Sequence, residues 1–155
     1  MQVLMINFKK LQYKNTDSAE KLIRYITRTR ENEDRRNELL GYGLNYGTAH
    51  HIPIEELIRQ FEFVQKYHAS KGSLMCHYTM PISTKLYDYY FEHDLRRLHN
   101  YAQMCCQHIF NMGHQVCYAV HQSASEQLHI HFAINAINFC TGQKIRQYPV
   151  EIKKI

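Results

Sequence analysis

Two alternating segments in the last third of the sequence constrain the fold more than any other feature. The first runs from Val116 to His121 and the second from Leu128 to Asn135. In both, apolar side chains recur at every second position, which is the period of a β-strand. A short polar loop joins the two segments. The pattern therefore predicts two antiparallel strands that form a central β-hairpin.

Three helices are predicted upstream of the hairpin, because apolar residues recur there at three- and four-residue spacing. The first helix follows a cap at Asp17 or Ser18, the second spans Pro53 to Gly72, and the third runs from Phe91 to Gly113. The third is expected to be the longest element. All three are amphipathic, so each should pack one side against a sheet.

Extended segments separate these helices. We expect a buried first strand over Val3 to Phe8, followed by a polar segment from Lys9 to Thr16. The glycines of Gly41 to Gly47 exclude a helix and favour an irregular strand. Another strand should run from Leu74 to about Met80 and end at Pro81. The charged stretch from Arg28 to Arg36 lacks apolar periodicity and predicts a solvated loop.

The order of these elements favours an α+β domain. Strands and helices follow one another as β, α, β, α, β, α, β, β, and Thr141-Gly142 predicts a turn before a further strand from Gln143. We therefore expect a central antiparallel sheet flanked by helices, with the helices on one face and the other face available to a ligand. A chain of 155 residues fits one domain, residues 1–155.

Composition excludes some classes of protein. The five cysteines are odd in number and lack CxxC spacing, which argues against a disulfide framework or a zinc ribbon. No stretch resembles a signal peptide or a membrane span, so we expect a soluble, cytoplasmic protein. The net charge of +5 suits a polyanionic partner but is common in proteins without one. The 11 histidines and 12 tyrosines offer metal ligands and flat faces for stacked bases.

The histidines of the hairpin form a candidate metal site. His129 and His131 lie two residues apart, roughly 7 Å along one strand, and should face the same side. His121 ends the preceding strand on that face. Three neutral imidazoles leave coordination positions open, as a catalytic metal needs, and by softness they favour manganese, zinc, cobalt or nickel over magnesium. The alternative is three ordinary polar strand residues, since a histidine-rich chain contains an HxH pair by chance.

Tyr25 is the candidate nucleophile. It lies on the first predicted helix, beside the apolar side. A tyrosine phenol is mostly protonated at neutral pH and needs a nearby cation or base to become nucleophilic, and Arg24, Arg28 or a metal are candidates for that role. The alternative is a partly buried tyrosine with its hydroxyl at the surface.

Residues 118–144 carry a specific motif. Tyr118-Ala-Val-His121 is followed by Leu128-His-Ile-His-Phe-Ala-Ile-Asn135, and then by Asn138 and Thr141-Gly-Gln-Lys144. Together these segments closely resemble the third motif of the relaxase/mobilisation nuclease family. That motif has a histidine at the end of one strand, a short acidic loop, HxHxxxN on the next strand, and a Thr-Gly-x-Lys turn.

Two weaker matches lie upstream in the family's order. Leu22-Ile-Arg-Tyr25-Ile-Thr resembles the first motif, in which the tyrosine of a helical Tyr-Ile-Thr sequence is the nucleophile. His77-Tyr-Thr-Met-Pro-Ile-Ser83 falls where the family has a strand that begins with histidine and ends in Ser-Phe. The resemblance thus extends from about Lys21 to Lys144 and singles out Tyr25 among the tyrosines.

The sequence departs from the family pattern at two places. Pro81 stands where the family has serine, which leaves Thr79 or Ser83 to replace it. The loop from Gln122 to Gln127 is one residue longer than usual and lacks the family's aspartate, so Glu126 is the nearest substitute for orienting a ligand histidine.

The resemblance implies the HUH-endonuclease fold and an action on single-stranded DNA at the transfer origin of a plasmid or transposon. Tyr25 would attack the scissile phosphate to give a 5′-phosphotyrosyl adduct and a free 3′-hydroxyl. His121, His129 and His131 would hold a divalent ion, which is manganese or magnesium if this chain follows the family. Accessory mobilisation proteins are expected as further partners, in a bacterial cytoplasm. The family usually continues with helices that close over the DNA, so we expect a truncated or compact form.

Several other residues are candidates for supporting roles. The auxiliary positions are Thr79, Ser83, Glu126 and Asn135. The candidates for phosphate contacts are Arg24, Arg28, Arg30 and Lys144, with Lys9, Lys10, Lys14 and the rest of the basic stretch 28–36. A solvated surface is the alternative for these cations. For the whole chain, the alternatives are a non-catalytic DNA-binding or metal-binding remnant of a relaxase and an α+β domain with core histidines and no nucleic acid partner.

Overall fold

The computed structural model describes residues 9–43, 52–124 and 127–145. A short 3-10 turn, Arg36–Glu38, precedes the second strand. The regular elements, in chain order, are β1 (Lys9–Tyr13), α1 (Ser18–Thr27), β2 (Leu39–Gly43), α2 (Ile54–Tyr67), β3 (Met75–Ile82), α3 (Thr84–Phe91), α4 (Leu95–Asn111), β4 (Val116–Gln122) and β5 (Leu128–Asn135). The predicted α+β class is confirmed.

The strands form one antiparallel sheet in the order β1-β3-β5-β4-β2. Strand β5 lies at the centre and pairs with β3 on one side and β4 on the other. The predicted hairpin of β4 and β5 is therefore the middle of the sheet. In its register His121, His129 and Pro81 stand opposite one another, and Ala119, His131 and Thr79 form the row two residues further on.

Helices pack on both faces of the sheet, so the expectation of one open face is wrong. The first core cluster lies under α3 and α4 and includes Tyr78, Leu98, Ile109, Val120, Ile130 and Phe132. The second lies under α1 and α2 and includes Leu22, Ile23, Ile26, Leu57, Phe61, Cys117, Ala119 and Ala133. On this second face the central strands carry small side chains, which leave room for α1 to approach. The histidines share this second face.

The first strand differs from the prediction. Residues Lys9–Tyr13 form β1, where a polar segment was expected. Among the described strands β1 pairs with β3 and lies at the edge of the sheet, and edge strands accept lysine and other polar residues on their open side. The strand predicted over Val3 to Phe8 lies outside the described residues.

The third predicted helix corresponds to α4, which begins at Leu95 rather than at Phe91, and a separate helix, α3, precedes it where none was predicted. Glu92 and His93 have φ values of 53° and 52°, so the chain leaves helical geometry between α3 and α4. Asp94 then caps α4 by accepting a hydrogen bond from the Arg96 amide at 2.9 Å. The apolar spacing that predicted one helix from Phe91 continues across this break, because Phe91 and Leu95 both contribute to the same apolar core cluster.

The remaining differences are small. Strand β3 continues through Pro81 to Ile82, since proline is accepted near the end of a strand. β2 occupies the first part of the predicted glycine-rich strand, and residues 44–47 of that segment lie outside the described residues. Beyond the turn at Gly142, Lys144 forms a single bridge with Ile137. Within the described ranges, no helix is both long and apolar enough to span a membrane.

Candidate active site

The three predicted ligand histidines lie together on the face of the sheet that α1 covers. The ring centroids of His121 and His131 are 4.3 Å apart, and those of His129 and His131 are 6.1 Å apart. The register explains this proximity: His121 stands opposite His129, and His131 follows His129 by one full strand period.

Burial keeps two of these histidines uncharged. His121 is 3% exposed and His131 is 9% exposed. Desolvation is the main cause that lowers the pKa of His121 to about 4. Desolvation, together with the neighbouring His121 and His77, lowers the pKa of His131 to about 2. Both rings are therefore neutral at physiological pH, which is the protonation state that metal coordination needs.

Three nitrogens of these rings contact other groups of the protein, namely both of His121 and Nδ1 of His131. His121 Nε2 donates to the Ile26 carbonyl oxygen at 2.6 Å, so its Nδ1 is the nitrogen that accepts from Arg28 Nη2 at 3.3 Å. His131 Nδ1 lies 2.9 Å from His77 Nε2. In these orientations no group of three histidine, cysteine, aspartate or glutamate side chains among the described residues is arranged to hold a metal ion.

The three predicted ligand histidines nevertheless have the side-chain type and the location that a divalent ion requires. They are three imidazoles on adjacent strands, which is a donor set typical of catalytic divalent metals. For His121 to serve as a ligand, Arg28 must release its Nδ1, because that nitrogen carries the lone pair of the ring while Nε2 donates to Ile26.

Tyr25 lies directly beside the histidines. Its ring meets that of His131 edge-on at 6.3 Å and that of His77 at 5.8 Å. Helix α1 brings it there, because Leu22, Ile23 and Ile26 are fully buried against the sheet and leave Tyr25 half-buried at the edge of the packed side. Tyr25 also lines a cavity of about 970 Å³, together with Tyr13, Lys21, Arg24, Thr29, Arg30 and the carboxylates of Asp17, Glu20 and Glu31.

Three arginines surround the Tyr25 ring. The guanidinium carbons of Arg28, Arg30 and Arg35 lie 4.9, 5.1 and 5.9 Å from the ring centroid. All three come from the charged loop that follows α1. The tyrosine, the histidines and a group of cations therefore meet at one place, and this combination suits chemistry on a phosphate group.

A family model matches residues 25–155, and its description is MobA/VirD2-like relaxase, nuclease domain. The chain belongs to this family. No curated protein sequence matches the chain. The resemblance found in the sequence is thus confirmed over most of the chain, and the matched region begins at Tyr25.

A solved structure supports the same fold. The conjugative relaxase TrwC in complex with oriT DNA, a metal-bound structure, aligns with a TM-score of 0.52 and 11% sequence identity. The alignment covers 96% of this chain and 63% of the TrwC chain, so this relaxase-family chain spans less than two thirds of that neighbour.

Of the predicted DNA-binding residues of this relaxase domain, Arg28 has the most enclosed position. It is 5% exposed, and its guanidinium contacts Glu38 Oε1 and the Tyr25 carbonyl oxygen, each at 3.2 Å. Arg24 pairs with Glu20 and Glu55 at the surface.

The other two predicted phosphate ligands lie in different surroundings. Arg30 donates to Glu33 at 2.9 Å, and this hydrogen bond raises the pKa of Arg30. The backbone of Lys144 forms a β-bridge with Ile137. Ile137 follows β5, beyond the end of that strand that is opposite to His129. The structure therefore does not bring Lys144 to the histidines.

The predicted auxiliary residues also differ in position. Asn135 is fully buried near the end of the sheet away from His129, where it bonds Gln115 at 2.8 Å and Phe61 O at 3.1 Å. Thr79 Oγ1 lies 3.5 Å from His77 Nε2, next to His131. Ser83 caps α3 by accepting from the Leu86 amide at 3.1 Å. Glu126 lies outside the described residues.

His77 is the site residue that the sequence interpretation did not assign. It was named only as the start of the second motif, yet its ring lies 5.1 Å from that of His131 and close to Tyr25. Alternation along β3 puts His77 and Thr79 on one face, and that pattern was the available signal. Glu38, which pairs with Arg28, could not be predicted from the sequence, because residues between regular elements follow no apolar spacing.

Proposed function

We propose that this relaxase-family chain nicks single-stranded DNA at a transfer origin and becomes covalently attached to it through Tyr25. The observation that supports this most directly is the position of the Tyr25 ring, 6.3 Å from the His131 ring and within a group of arginines. A half-buried phenol, neutral imidazoles and cations are the groups that a phosphoryl transfer to tyrosine needs.

The proposed reaction is a transesterification. Tyr25 Oη attacks the scissile phosphorus, the phenol proton passes to water, and a bond from Oη to phosphorus forms. The bond from phosphorus to the 3′-oxygen breaks, and that oxygen takes a proton to become a free 3′-hydroxyl. The 5′-phosphate stays on Tyr25. Because one phosphodiester replaces another, the reverse attack by a 3′-hydroxyl rejoins a strand without a further energy source.

The arginines around Tyr25 have separate tasks in this proposal. Arg30 and Arg35 belong to a loop near the surface and lie within 5.9 Å of the ring centroid, where positive charge favours both the phenolate and a bound phosphate. Arg28 is already paired with Glu38, so it acts as a positioning residue that fixes the end of α1 through the Tyr25 carbonyl oxygen. Arg24 is a candidate for a contact further along the DNA backbone.

His121, His129 and His131 are the residues that would hold a divalent ion. Such an ion would neutralise charge on the scissile phosphate. The family favours manganese or magnesium, whereas three imidazoles favour manganese, zinc, cobalt or nickel by softness. Manganese satisfies both arguments and is the ion to use first in assays. His77 and Thr79 lie behind His131 and would orient its ring.

The proposed substrate is single-stranded DNA at the transfer origin of a plasmid or transposon, in the cytoplasm of a bacterium. Two observations support a nucleic acid partner: the net charge of +5 and the cavity of about 970 Å³ beside Tyr25. Accessory mobilisation proteins would deliver this DNA. We further propose that residues 1–155 act as one domain.

A second candidate function follows from the hydrogen bonds of His121. Because both of its nitrogens are engaged by Ile26 and Arg28, the chain could instead be a non-catalytic remnant that binds DNA without cleaving it. This candidate predicts DNA binding without any covalent adduct.

Incubation with manganese and a pool of oligonucleotides from candidate transfer origins distinguishes the two functions. We expect a covalent adduct on a denaturing gel that disappears in Tyr25→Phe. The matched control is Tyr67→Phe on α2, a tyrosine that is 71% exposed and away from the histidines, which should leave the adduct unchanged. DNA binding without an adduct in the unmodified chain would favour the remnant.

A further inference from the structure

A second cavity opens at the end of the sheet that carries His129. It has a volume of about 540 Å³, and its lining includes Pro81, Lys85, Tyr89, Tyr90 and Gln127. This volume is in the range of sites that enclose small organic ligands. Lys85 and both tyrosines come from α3, whereas Pro81 and Gln127 come from the ends of the central strands.

The cavity adjoins the candidate active site. Pro81 is paired with His129 in the register of β3 and β5, and it shares the face of His77 and Thr79 because β3 alternates. From Pro81 to Ser83 the chain advances only roughly 7 Å. Helix α3 itself packs on the opposite face of the sheet from the histidines, so a strand of DNA held at the histidines would reach this cavity around the end of β3 with one of its neighbouring nucleotides.

The tyrosines present aromatic faces that the fold itself does not use. Tyr89 is 78% exposed and Tyr90 is 41% exposed, and their rings meet edge-on with centroids 4.9 Å apart. Perpendicular rings form a corner, in which one ring can stack on a flat ligand while the other contacts its edge. Unpaired nucleobases bind to aromatic side chains in this way, with little dependence on base identity.

The charge of the lining also favours a nucleotide. Among the described residues that line this cavity, Lys85 is the one with a charged side chain. The acidic residues nearby have other partners: Asp88 contacts His93 at 2.8 Å, Glu92 pairs with Arg97 at 3.2 Å, and Asp94 pairs with Arg96 at 3.2 Å.

We propose that Tyr89, Tyr90 and Lys85 form a subsite that binds one unpaired nucleobase and its phosphate, next to the nucleotide held at the histidines. This inference rests on the proposed function, because it takes the ligand to be the same single-stranded DNA. The subsite would hold the strand mainly by stacking on the tyrosines, with Lys85 as a contact to the backbone.

The test compares two oligonucleotides of equal length and charge, one of thymidines and one of abasic residues. Fluorescence anisotropy would measure their binding to the full chain, to Tyr89→Ala/Tyr90→Ala, and to Tyr89→Phe/Tyr90→Phe. Stacking of one base contributes on the order of 10-fold in affinity. We expect the alanine pair to weaken oligothymidine binding by about that factor, with little effect on the abasic strand, and the phenylalanine pair to restore it.

The outcomes separate this inference from the proposed function. If the unmodified chain binds neither oligonucleotide but forms the covalent adduct with transfer-origin DNA, the subsite alone is wrong, and if it forms no adduct either, both are wrong. If it binds them but the alanine pair weakens both equally or not at all, the subsite alone is wrong. Tyr67→Ala is the control for an exposed aromatic residue on α2.

Photocrosslinking locates the base directly. With 5-iodouracil in the oligonucleotide, we expect crosslinks in the tryptic peptide of residues 86–96, which contains both tyrosines. Crosslinks confined to other peptides would overturn the assignment even if the alanine variants were misfolded.

Discussion

Arg28 should be a large contributor to stability, although the sequence places it in a basic loop. Its side chain is 4% exposed and that of Glu38 is 19% exposed, and the two are 3.2 Å apart. Arg28→Ala leaves the Glu38 carboxylate without this cation and removes donors to Tyr25 O and His121. Breaking a buried pair from one side costs about 3–5 kcal/mol. Because water reaches Glu38, we expect the lower end, about 3 kcal/mol.

The backbone at Arg28 supplies an internal check on this reasoning. Its φ of 55° lies in the left-handed region, where a side chain costs roughly 1 kcal/mol that glycine avoids. Arg28→Gly should therefore unfold at a higher urea concentration than Arg28→Ala, although both lose the guanidinium. Arg59, which pairs with Glu56 on the exposed side of α2, is the surface control, and Arg59→Ala should change stability little.

Urea denaturation followed by circular dichroism would measure these differences, and a double-mutant cycle of Arg28→Ala with Glu38→Ala would isolate the pair. A loss for Arg28→Ala no larger than that for Arg59→Ala would refute the reasoning. It would mean that Arg28 is solvated and free to contact DNA, as the basic loop alone suggests.

Three further predictions test other parts of the account. His129→Asn should weaken the binding of cobalt or manganese, measured by calorimetry, by on the order of 100-fold. The control His93→Asn changes an exposed histidine outside the cluster and should leave metal binding unchanged. Equal effects of the two variants would exclude the histidine cluster as the metal site. Burial lowers the pKa of His121 and His131 below the value of the unfolded chain, so the unfolded state takes up protons first as the pH falls. The free energy of unfolding should therefore decrease below about pH 6.5, by about 1.4 kcal/mol per pH unit for each ring. A urea midpoint that falls between pH 7 and pH 5 as steeply in His131→Asn as in the unmodified chain would contradict this. Gly43→Ala places a methyl group directly onto the Tyr118 ring and should lower stability by about 1–3 kcal/mol in thermal unfolding, and a neutral result would show that the ring can move aside.

Local patterns predicted the centre of the fold well. The alternation of β4 and β5 was enough to place both strands, and it also placed His121, His129 and His131 on one face. These features depend on residues close in sequence, so a period of two determines them. The same argument explains why the amphipathic α2 was predicted within a few residues of its ends.

The errors arose where non-local contacts decide the structure. β1 forms at Lys9–Tyr13 because β3 offers it a partner, and no apolar pattern marks that pairing. The break between α3 and α4 depends on left-handed geometry at Glu92 and His93, two residues that usually continue a helix. The small side chains of Cys117, Ala119 and Ala133 admit α1 and α2 to the second face, which no single segment reveals.

Local sequence patterns could not predict part of the candidate site, for the same reason. His77 reaches His131 only because β3 lies beside β5, and Arg28 is buried only because Glu38 and His121 surround it. Periodicity assigns residues to faces of one element, whereas these contacts join elements that are far apart in sequence. The resemblance to the family identified Tyr25, whose position beside the histidines depends on the packing of α1.

The central claim is that Tyr25 carries the DNA, and peptide mapping of the covalent adduct tests it most directly. The adduct formed with manganese and a cleaved oligonucleotide would be digested with trypsin and nuclease and analysed by tandem mass spectrometry. We predict one modified residue, Tyr25, bearing a 5′-linked nucleotide, with a free 3′-hydroxyl on the released strand. A nucleotide on any other residue, or cleavage that leaves no protein-bound nucleotide, would contradict the account.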